Sequence, residues 1–203
     1  MEYILVIALS YILGSSNMAK YLAAIKKVDL TAGGSGNLGA SNAVILMGWG
    51  AGVLTALHDI GKSALAVILA RLVFPDAPYI GAAAGVAAVL GHIFPFWMKF
   101  KGGKGFASYL GMTLALHWKF AIAVLLLVVV VTLITDYIVA ATTTTIIIVP
   151  IGLGVLTQSI ILPLILLVAS AVIAWKHKDN YVRIWKGTEI GFRKAGRGDY
   201  RVK

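Results

Sequence analysis

Residues 137–175, YIVAATTTTIIIVPIGLGVLTQSIILPLILLVASAVIAW, decide the fold class, because none of these 39 residues is charged. A helix that crosses a bilayer needs about 20 predominantly apolar residues, so this stretch is long enough for two spans. Over the whole chain of 203 residues, 60% are hydrophobic and 13% are charged, whereas soluble domains carry about 25% charged residues. The sequence therefore predicts an all-α integral membrane helical bundle and excludes a disordered chain.

Other apolar segments, several of them shorter than a full crossing, cover residues 3–24, 41–57, 60–74, 79–98 and 105–118. We expect about seven membrane helices, some of them short or half-spanning. No internal repeat or polar linker interrupts the pattern, which predicts one integral membrane domain over residues 1–203. Glu2 stands where a secretory signal peptide carries basic residues, so the first helix is expected to be retained.

The basic residues fall into three clusters. The chain has 18 Lys and Arg against 8 Asp and Glu, and 15 of those 18 lie within residues 20–27, 99–104 and 176–203. The positive-inside rule assigns all three clusters to the cytoplasmic face of a bacterial inner membrane, with the N-terminus outside and the C-terminus inside. The net charge of +10 is thus ascribed to topology and to anionic bilayer lipids. Nucleic-acid binding is not expected, because no interleaved aromatic and basic surface supports it.

This placement constrains the number of crossings. An even number of full crossings must separate any two clusters that share a face. Seven full alternating crossings through the segments above would put the second cluster on the opposite face. We therefore expect some segments to be half-helices or to lie at the membrane interface.

The first candidate site is a loop rich in glycine, serine and asparagine. Glycines can turn backbone N–H groups toward an anion, and a following helix N-terminus adds the positive end of its dipole. A flexible loop or tight helix packing is the alternative. The spacing also fits a dinucleotide-binding fingerprint, but no strand precedes the loop as that fold requires. The candidate substrate-binding and catalytic residues are Gly34, Ser35, Gly36, Asn37, Ser41 and Asn42.

The second candidate site is a compact basic loop with the sequence Lys101-Gly102-Gly103-Lys104-Gly105. Its glycines let backbone N–H groups approach a phosphate, and its ammonium groups would neutralise the charge. A loop that served only topology would need the lysines but not three glycines, so phosphate binding is favoured. The loop lacks the glycine spacing of a P-loop.

The third candidate site begins where the last apolar segment ends. If that helix continues, His177, Asn180 and Arg183 share one face, and histidine is the usual proton-transfer residue. A polar helix end that snorkels to the membrane surface explains the same residues equally well. Asp59 and Lys62 lie within an apolar segment and can pair, either as structural support or as part of the site. No set of residues with metal-ligand spacing is present, so neither a metal nor a cofactor is expected.

Together these motifs resemble the bacterial glycerol-3-phosphate acyltransferases that use acyl phosphate as the donor, and the resemblance covers nearly the whole chain. It is carried by four ordered elements: G-S-G-N-x-G-A-x-N at 34–42, D-x-x-K at 59–62, Gly91-His92 with Pro95 before K-G-G-K-G at 101–105, and H-x-x-N-x-x-R-x-x-x-G-x-E at 177–189. The family is described as seven membrane helices, some of them short, with the motif loops meeting at the cytoplasmic membrane face.

The resemblance implies transfer of a fatty acyl group from acyl phosphate to the 1-hydroxyl of sn-glycerol 3-phosphate, giving lysophosphatidate and phosphate for phospholipid synthesis. It implies that the loop with Ser35 is catalytic, that His177 and Asn180 are needed for activity, and that Glu189 is mainly structural. The loop 101–105 is implied to bind glycerol 3-phosphate, and Arg183 is placed with it among the substrate-binding residues. The expected partners are the two substrates and bilayer lipids, and the protein is expected to be a monomer.

Several points stay open at this stage. Either His177 or the phosphate of the donor could deprotonate the glycerol hydroxyl, and transfer could be direct or pass through an acyl-Ser35 intermediate. The chain has Ile45, Ser41 and Ser63 where the family usually has Arg, Thr and Gly. A divergent paralogue for another phosphate-bearing substrate and a non-catalytic protein that binds phosphate or lipid are therefore the alternatives. The His-x4-Asp motif of acyl-CoA-type enzymes is absent, and the lack of cysteine excludes a thiol nucleophile.

Overall fold

The computed structural model describes residues 1–197, and over that range the protein is built of helices without strands. One 3-10 turn occupies Phe96–Met98, and the α-helices are α1 (Glu2–Gly14), α2 (Met18–Lys26), α3 (Ala40–Met47), α4 (Trp49–Val73), α5 (Ile80–Ile93), α6 (Phe106–Leu116), α7 (Trp118–Thr135), α8 (Ile138–Thr157), α9 (Ile161–Lys176), α10 (Lys178–Trp185) and α11 (Phe192–Arg197). The predicted all-α class is confirmed. The end of the predicted domain and two residues of the third basic cluster, Arg201 and Lys203, lie outside the described residues.

Within residues 1–197, five helical segments are long and apolar enough to cross a membrane. The count becomes six when α9 and α10, which are bent by 46° relative to each other, are taken as one span. The shorter apolar helix α6 has 11 residues, which corresponds to about 16 Å at 1.5 Å per residue. The bundle therefore mixes full-length and short helices, as expected for this integral membrane protein.

Two interhelical regions define opposite ends of the bundle. One end, here called the far end, is held by side-chain hydrogen bonds from Tyr3 to Pro78, from Arg71 to Ala115 and from Ser159 to Tyr79. The other, here called the site end, holds the break between α1 and α2, helix α3, the start of α6, the α7–α8 turn and the α9–α10 bend. Helices α1, α4, α5, α6, α7, α8 and α9 run in turn between these ends.

Helix α4 joins two apolar segments that the sequence listed separately. The apolar segments 41–57 and 60–74 were expected as separate elements, but Trp49–Val73 is one helix of 25 residues. Its charged residues Asp59 and Lys62 are both buried and pair with each other, so they do not end it. Two crossings, α4 and α5, therefore separate the first two basic clusters. Helices α6 to α9 separate the second cluster from the third, and α6 is only 11 residues long. All three clusters therefore share the site end, and the expected mixture of full-length and short helices is confirmed.

Small residues allow the helices at the centre to pack closely. A Cβ atom at Gly91 would lie 2.1 Å from the carbonyl oxygen of Tyr11, and one at Gly111 would lie 2.1 Å from that of Ile60. Such contacts bring α5 against α1 and α6 against α4, which is the usual way in which membrane helices associate. The main core then joins α5 and α6 to α8 and α9 through fully buried side chains, among them Val89, Tyr109, Val149, Leu166 and Ile173.

Candidate active site

A cavity of about 510 Å³ opens at the site end and is lined by all three sequence motifs. Its walls come from the loop before α3, the start of α6, the first turn of α8 and the segment from the α9–α10 bend to α11. Of the predicted residues, those that line it are Gly34, Ser35, Asn37, Ser41, Asp59, Lys104, Gly105, His177, Asn180, Arg183 and Glu189. The predicted residues that do not line it are Gly36, Asn42, Lys62, Lys101, Gly102 and Gly103.

The first loop takes its shape from two glycines and one buried asparagine. Gly34 and Gly36 adopt φ angles of +59° and +66°, a region that strongly favours glycine. Asn42, which is completely buried, accepts a hydrogen bond from the backbone N–H of Ser35 at 2.8 Å and donates one to the carbonyl of Leu30 at 2.8 Å. The predicted contact of Asn42 with substrate is therefore replaced by a role in holding the loop that carries Ser35.

Three helices begin at the cavity wall. Helix α3 starts at Ala40, α6 at Phe106 and α8 at Ile138, and none of the three has a side-chain cap on its first N–H groups. All three first residues line the cavity. Uncapped N-termini present free donors and the positive ends of helix dipoles, so this cavity favours anions.

Gly102 and Gly103 of the second loop serve packing rather than a backbone cradle. The N–H groups of Gly102 and Gly103 donate to the carbonyls of Ile93 and His92 at 3.1 and 3.2 Å, so they are not directed at a ligand. A Cβ atom at Gly102 would lie 2.1 Å from the His92 carbonyl oxygen. Gly102 and Gly103 thus let the loop lie directly on the end of α5, which corrects the expectation that the N–H groups of these two glycines bind phosphate.

Lys104 supplies the cation of this loop and belongs to a chain of polar contacts across the cavity. Its ammonium donates to the Asn180 carbonyl oxygen, and the Asn180 amide donates to Glu189 at 2.5 Å. Glu189 also pairs with Arg183 at 2.6 Å. Burial, together with the nearby positive charge of Arg183, lowers the pKa of Lys104 from 10.5 to about 8. By contrast, Lys101 is exposed.

His177 lies at the bend between α9 and α10, so the continuous helix considered above is interrupted, although His177, Asn180 and Arg183 all line the cavity. Its Nδ1 atom lies 2.8 Å from the carbonyl oxygen of Ile173. Because a carbonyl only accepts, Nδ1 carries the hydrogen of the neutral ring, and Nε2 is left as an acceptor. This tautomer is the one that can take a proton from a hydroxyl.

An ion-pair cluster underlies the cavity. Lys62 Nζ lies 2.8 Å from Asp59 Oδ1 and donates to the backbone carbonyl of Ser16 at 2.6 Å. Asp59 Oδ1 is also 3.2 Å from Nδ1 of His92. His92 had no predicted role, yet its side chain is buried and lines the cavity. The Gly91-His92 element before the glycine loop was the signal that could have identified it.

The segment after Glu189 forms a roof that the sequence did not predict. Ile190, Phe192 and Ala195 line the cavity. Phe192 donates its N–H to the Asp136 carbonyl at 2.7 Å, and its ring packs edge-on against Trp49 at 6.3 Å. Residues 190–195 thus cover the cavity between the α7–α8 turn and the start of α4.

Comparison with known proteins agrees with this arrangement. Residues 4–187 match the profile of the glycerol-3-phosphate acyltransferase family. A glycerol-3-phosphate acyltransferase of Parasynechococcus marenigrum (strain WH8102) is 37% identical over 188 residues, which is 92% of this chain and 88% of that protein. A relative from Coxiella burnetii (strain CbuG_Q212) is 36% identical and covers 93% of this chain and 97% of its own length.

Solved structures agree as well. The crystal structure of PlsY (YgiH), an integral membrane glycerol 3-phosphate acyltransferase, in its glycerol 3-phosphate form superposes with a TM-score of 0.89 at 31% identity, covering 95% of this chain and 96% of that chain. Its lysophosphatidic acid form superposes with a TM-score of 0.86 at 29% identity, covering 96% and 98%. From the sequence match and the shared fold together, we conclude that the chain belongs to the glycerol-3-phosphate acyltransferase family of integral membrane proteins.

Proposed function

We propose that the protein transfers a fatty acyl group from acyl phosphate to the 1-hydroxyl of sn-glycerol 3-phosphate, releasing lysophosphatidate and inorganic phosphate. The observation that carries the proposal is the convergence of the Ser35 loop, Lys104 and the His177–Asn180 pair in one cavity. The relatives are named glycerol-3-phosphate acyltransferases, and the PlsY structures were solved in glycerol 3-phosphate and lysophosphatidic acid forms.

The reaction requires a cavity that accepts two phosphate groups. Three uncapped helix N-termini and the Lys104 ammonium meet this need, because each places positive charge or free N–H donors at the wall. In this proposal Lys104 and Arg183 hold glycerol 3-phosphate, and the first loop with Ser35 and Asn37 faces the acyl phosphate. The apolar side chains of Ile45 and Val139, which also line the wall, suit the start of an acyl chain.

The chemical step needs a proton acceptor and donors for the developing oxyanion. The glycerol hydroxyl attacks the acyl carbon, the bond from that carbon to the phosphate oxygen breaks, and the phosphate leaves with the electron pair. In the tautomer described above, His177 Nε2 would accept the hydroxyl proton, and the leaving phosphate is the other candidate acceptor. Donors such as the Ser35 hydroxyl or the Lys104 ammonium would stabilise the oxyanion. An acyl-Ser35 intermediate remains the alternative to direct transfer.

The proposal extends to the orientation in the membrane. Lys20, Lys26, Lys99, Lys101 and Lys176 all lie on elements of the site end, whereas Arg71 and Lys119 lie at the far end. The positive-inside rule then places the cavity at the cytoplasmic face of a bacterial inner membrane, with the N-terminus outside and the C-terminus inside. Both water-soluble glycerol 3-phosphate and a membrane-bound donor would have access there.

The donor is tested with purified protein reconstituted into lipid vesicles. Phosphate release and lysophosphatidate formation are measured with glycerol 3-phosphate and either long-chain acyl phosphate or acyl-CoA. Turnover is expected with acyl phosphate alone, and Ser35→Ala should remove it. Turnover with acyl-CoA alone would contradict the proposed donor. A folded protein inactive with both would support a paralogue for another phosphate-bearing substrate, for which Ile45 in the cavity wall is the supporting feature.

The proposal also predicts the pH dependence. Since the pKa of Lys104 is about 8, kcat/KM for glycerol 3-phosphate should fall as the pH rises through about 8, because the ammonium loses its proton. An ordinary lysine would keep its proton to about pH 10. The kcat value should stay constant to a higher pH than kcat/KM, because the bound phosphate dianion raises the pKa of Lys104.

The measurement is kcat/KM between about pH 7 and 10 for the wild type and for Lys104→Arg, whose guanidinium stays charged. The falling limb near pH 8 should be lost in the variant. A wild-type profile that stays flat beyond pH 9.5 would show that the Lys104 charge does not govern substrate capture.

A further inference from the structure

His92 is the buried group that the mechanism above does not use. It lies at the end of α5 with 3% of its surface exposed, under the glycine loop and beside the Asp59–Lys62 pair. Its Nδ1 atom is 2.9 Å from Lys62 Nζ and 3.2 Å from Asp59 Oδ1. Both charged partners contact the same ring atom, so the Nε2 edge of the ring is left to face the glycine loop.

The clamp around this imidazole links helices α4 and α5 to the break between α1 and α2. Lys62 comes from α4 and also donates to the Ser16 carbonyl at the break between α1 and α2, while His92 belongs to α5. Lys62 and Asp59 are 5% and 2% exposed and pair with each other. Breaking this buried ion pair would be costly, so both side chains are held in place beside the imidazole. The position of the His92 ring is therefore fixed by the bundle rather than by the loop above it.

The free edge of the ring forms the floor of the glycine loop. A Cβ atom at Gly103 would lie 2.1 Å from His92 Nε2, so the loop backbone rests directly on this atom. The N–H of Gly103 also donates to the His92 carbonyl at 3.2 Å. The next residue along the chain is Lys104, whose ammonium reaches Asn180 in the cavity.

We propose that His92 is a positioning residue: clamped by Asp59 and Lys62, its imidazole sets the height of the loop 101–105 and so aims the Lys104 ammonium at the phosphate of the substrate. The inference rests on the proposed function, since it assigns a residue that supports substrate capture. It differs from a catalytic assignment for His92, because the ring acts through the loop and does not need to contact the reacting atoms.

The first test compares His92→Ala with His58→Ala in vesicles. His58 lies 3.5 Å from Asp59 Oδ1 on the same helix and does not line the cavity. His92→Ala should raise KM for glycerol 3-phosphate about tenfold or more, the loss of one charge-assisted contact, with kcat changed by less than about threefold. His58→Ala should leave KM within about twofold. A large fall in kcat with unchanged KM, or equal effects of both changes, would overturn the proposal.

The second test is a double-mutant cycle with Gly103→Ala. Alone, Gly103→Ala should raise KM, because its methyl group would meet His92 Nε2. In the His92→Ala background that methyl group has room, so the same change should have much less effect. Strictly additive effects would contradict direct contact between ring and loop.

A readout that needs no turnover separates this inference from the proposed function. Amide hydrogen exchange of Gly102 and Gly103 in the reconstituted protein should quicken in His92→Ala and not in His58→Ala, with exchange in α8 unchanged. Unaltered exchange at these glycines would overturn the positioning role even if acyl transfer proceeds. Wild-type protein that is inactive with glycerol 3-phosphate but whose loop responds to His92→Ala would instead contradict the proposed function alone.

Discussion

Lys104→Met is expected to reduce turnover by about 10²–10³-fold, the range found when one preorganised donor is removed from an active site. Lys104 lies at the cavity wall and reaches Asn180, and it is the lysine of the glycine loop that lines the cavity. Methionine keeps the length and apolar stem of the side chain but removes the charge. The loss should appear in kcat/KM for glycerol 3-phosphate, measured in vesicles at about pH 7, where the ammonium is charged.

Lys101→Met is the matched control for that experiment. It removes the same charge from the same loop, but Lys101 is exposed and does not line the cavity. Its turnover should stay within about threefold of the wild type, because a surface charge is screened by solvent and salt. Equal losses in the two variants would mean that the loop acts through its net charge, and the assignment of Lys104 would be wrong.

Lys62→Met is expected to have the largest effect on stability, about 3–5 kcal/mol, because it leaves the buried Asp59 carboxylate without its partner. Lys62 Nζ also donates to the Ser16 carbonyl, so the change also removes the donor to this part-buried acceptor where α1 breaks. The measurement is the unfolding free energy, or the unfolding temperature, of the protein in detergent micelles. Lys20→Met, at an exposed lysine, should change stability by less than about 1 kcal/mol.

The double variant Asp59→Asn with Lys62→Met tests the reason for that loss. Removing both charges takes away the uncompensated buried ion, so the double variant should be more stable than Lys62→Met alone. A double variant that is as unstable as the sum of its two single changes would show that hydrogen bonding to Ser16 and His92, rather than buried charge, governs the stability of this cluster.

The sequence predicted the fold class and most of the cavity because both depend on local patterns. Residues 137–175 form helix α8 and all but the last residue of helix α9. Helices satisfy the backbone hydrogen bonds of such an uncharged stretch within a membrane. Ser35, Lys104 and His177 lie in separate motifs, and the structure brings all three to the cavity. The span of α4 was misjudged because charged residues usually end membrane helices, whereas Asp59 and Lys62 satisfy each other within one.

The residues whose roles the sequence did not give depend on contacts between distant segments. Gly103 belongs to a loop whose composition is typical of anion binding. Only its contact with His92 shows that it serves close packing. Asn42 resembles a ligand-binding amide, but its partners at Ser35 and Leu30 use both of its polar ends. The roof formed by Phe192 depends on Asp136, which lies more than fifty residues earlier in the chain.

The most direct test of acyl transfer in this cavity is to count both products in one reaction. Reconstituted wild-type protein receives acyl phosphate with and without sn-glycerol 3-phosphate, and inorganic phosphate and lysophosphatidate are quantified together. We predict one lysophosphatidate for each phosphate released, dependence of both on glycerol 3-phosphate, and loss of both in Lys104→Met. Phosphate release that continues without glycerol 3-phosphate, or that persists unchanged in Lys104→Met, would contradict the account.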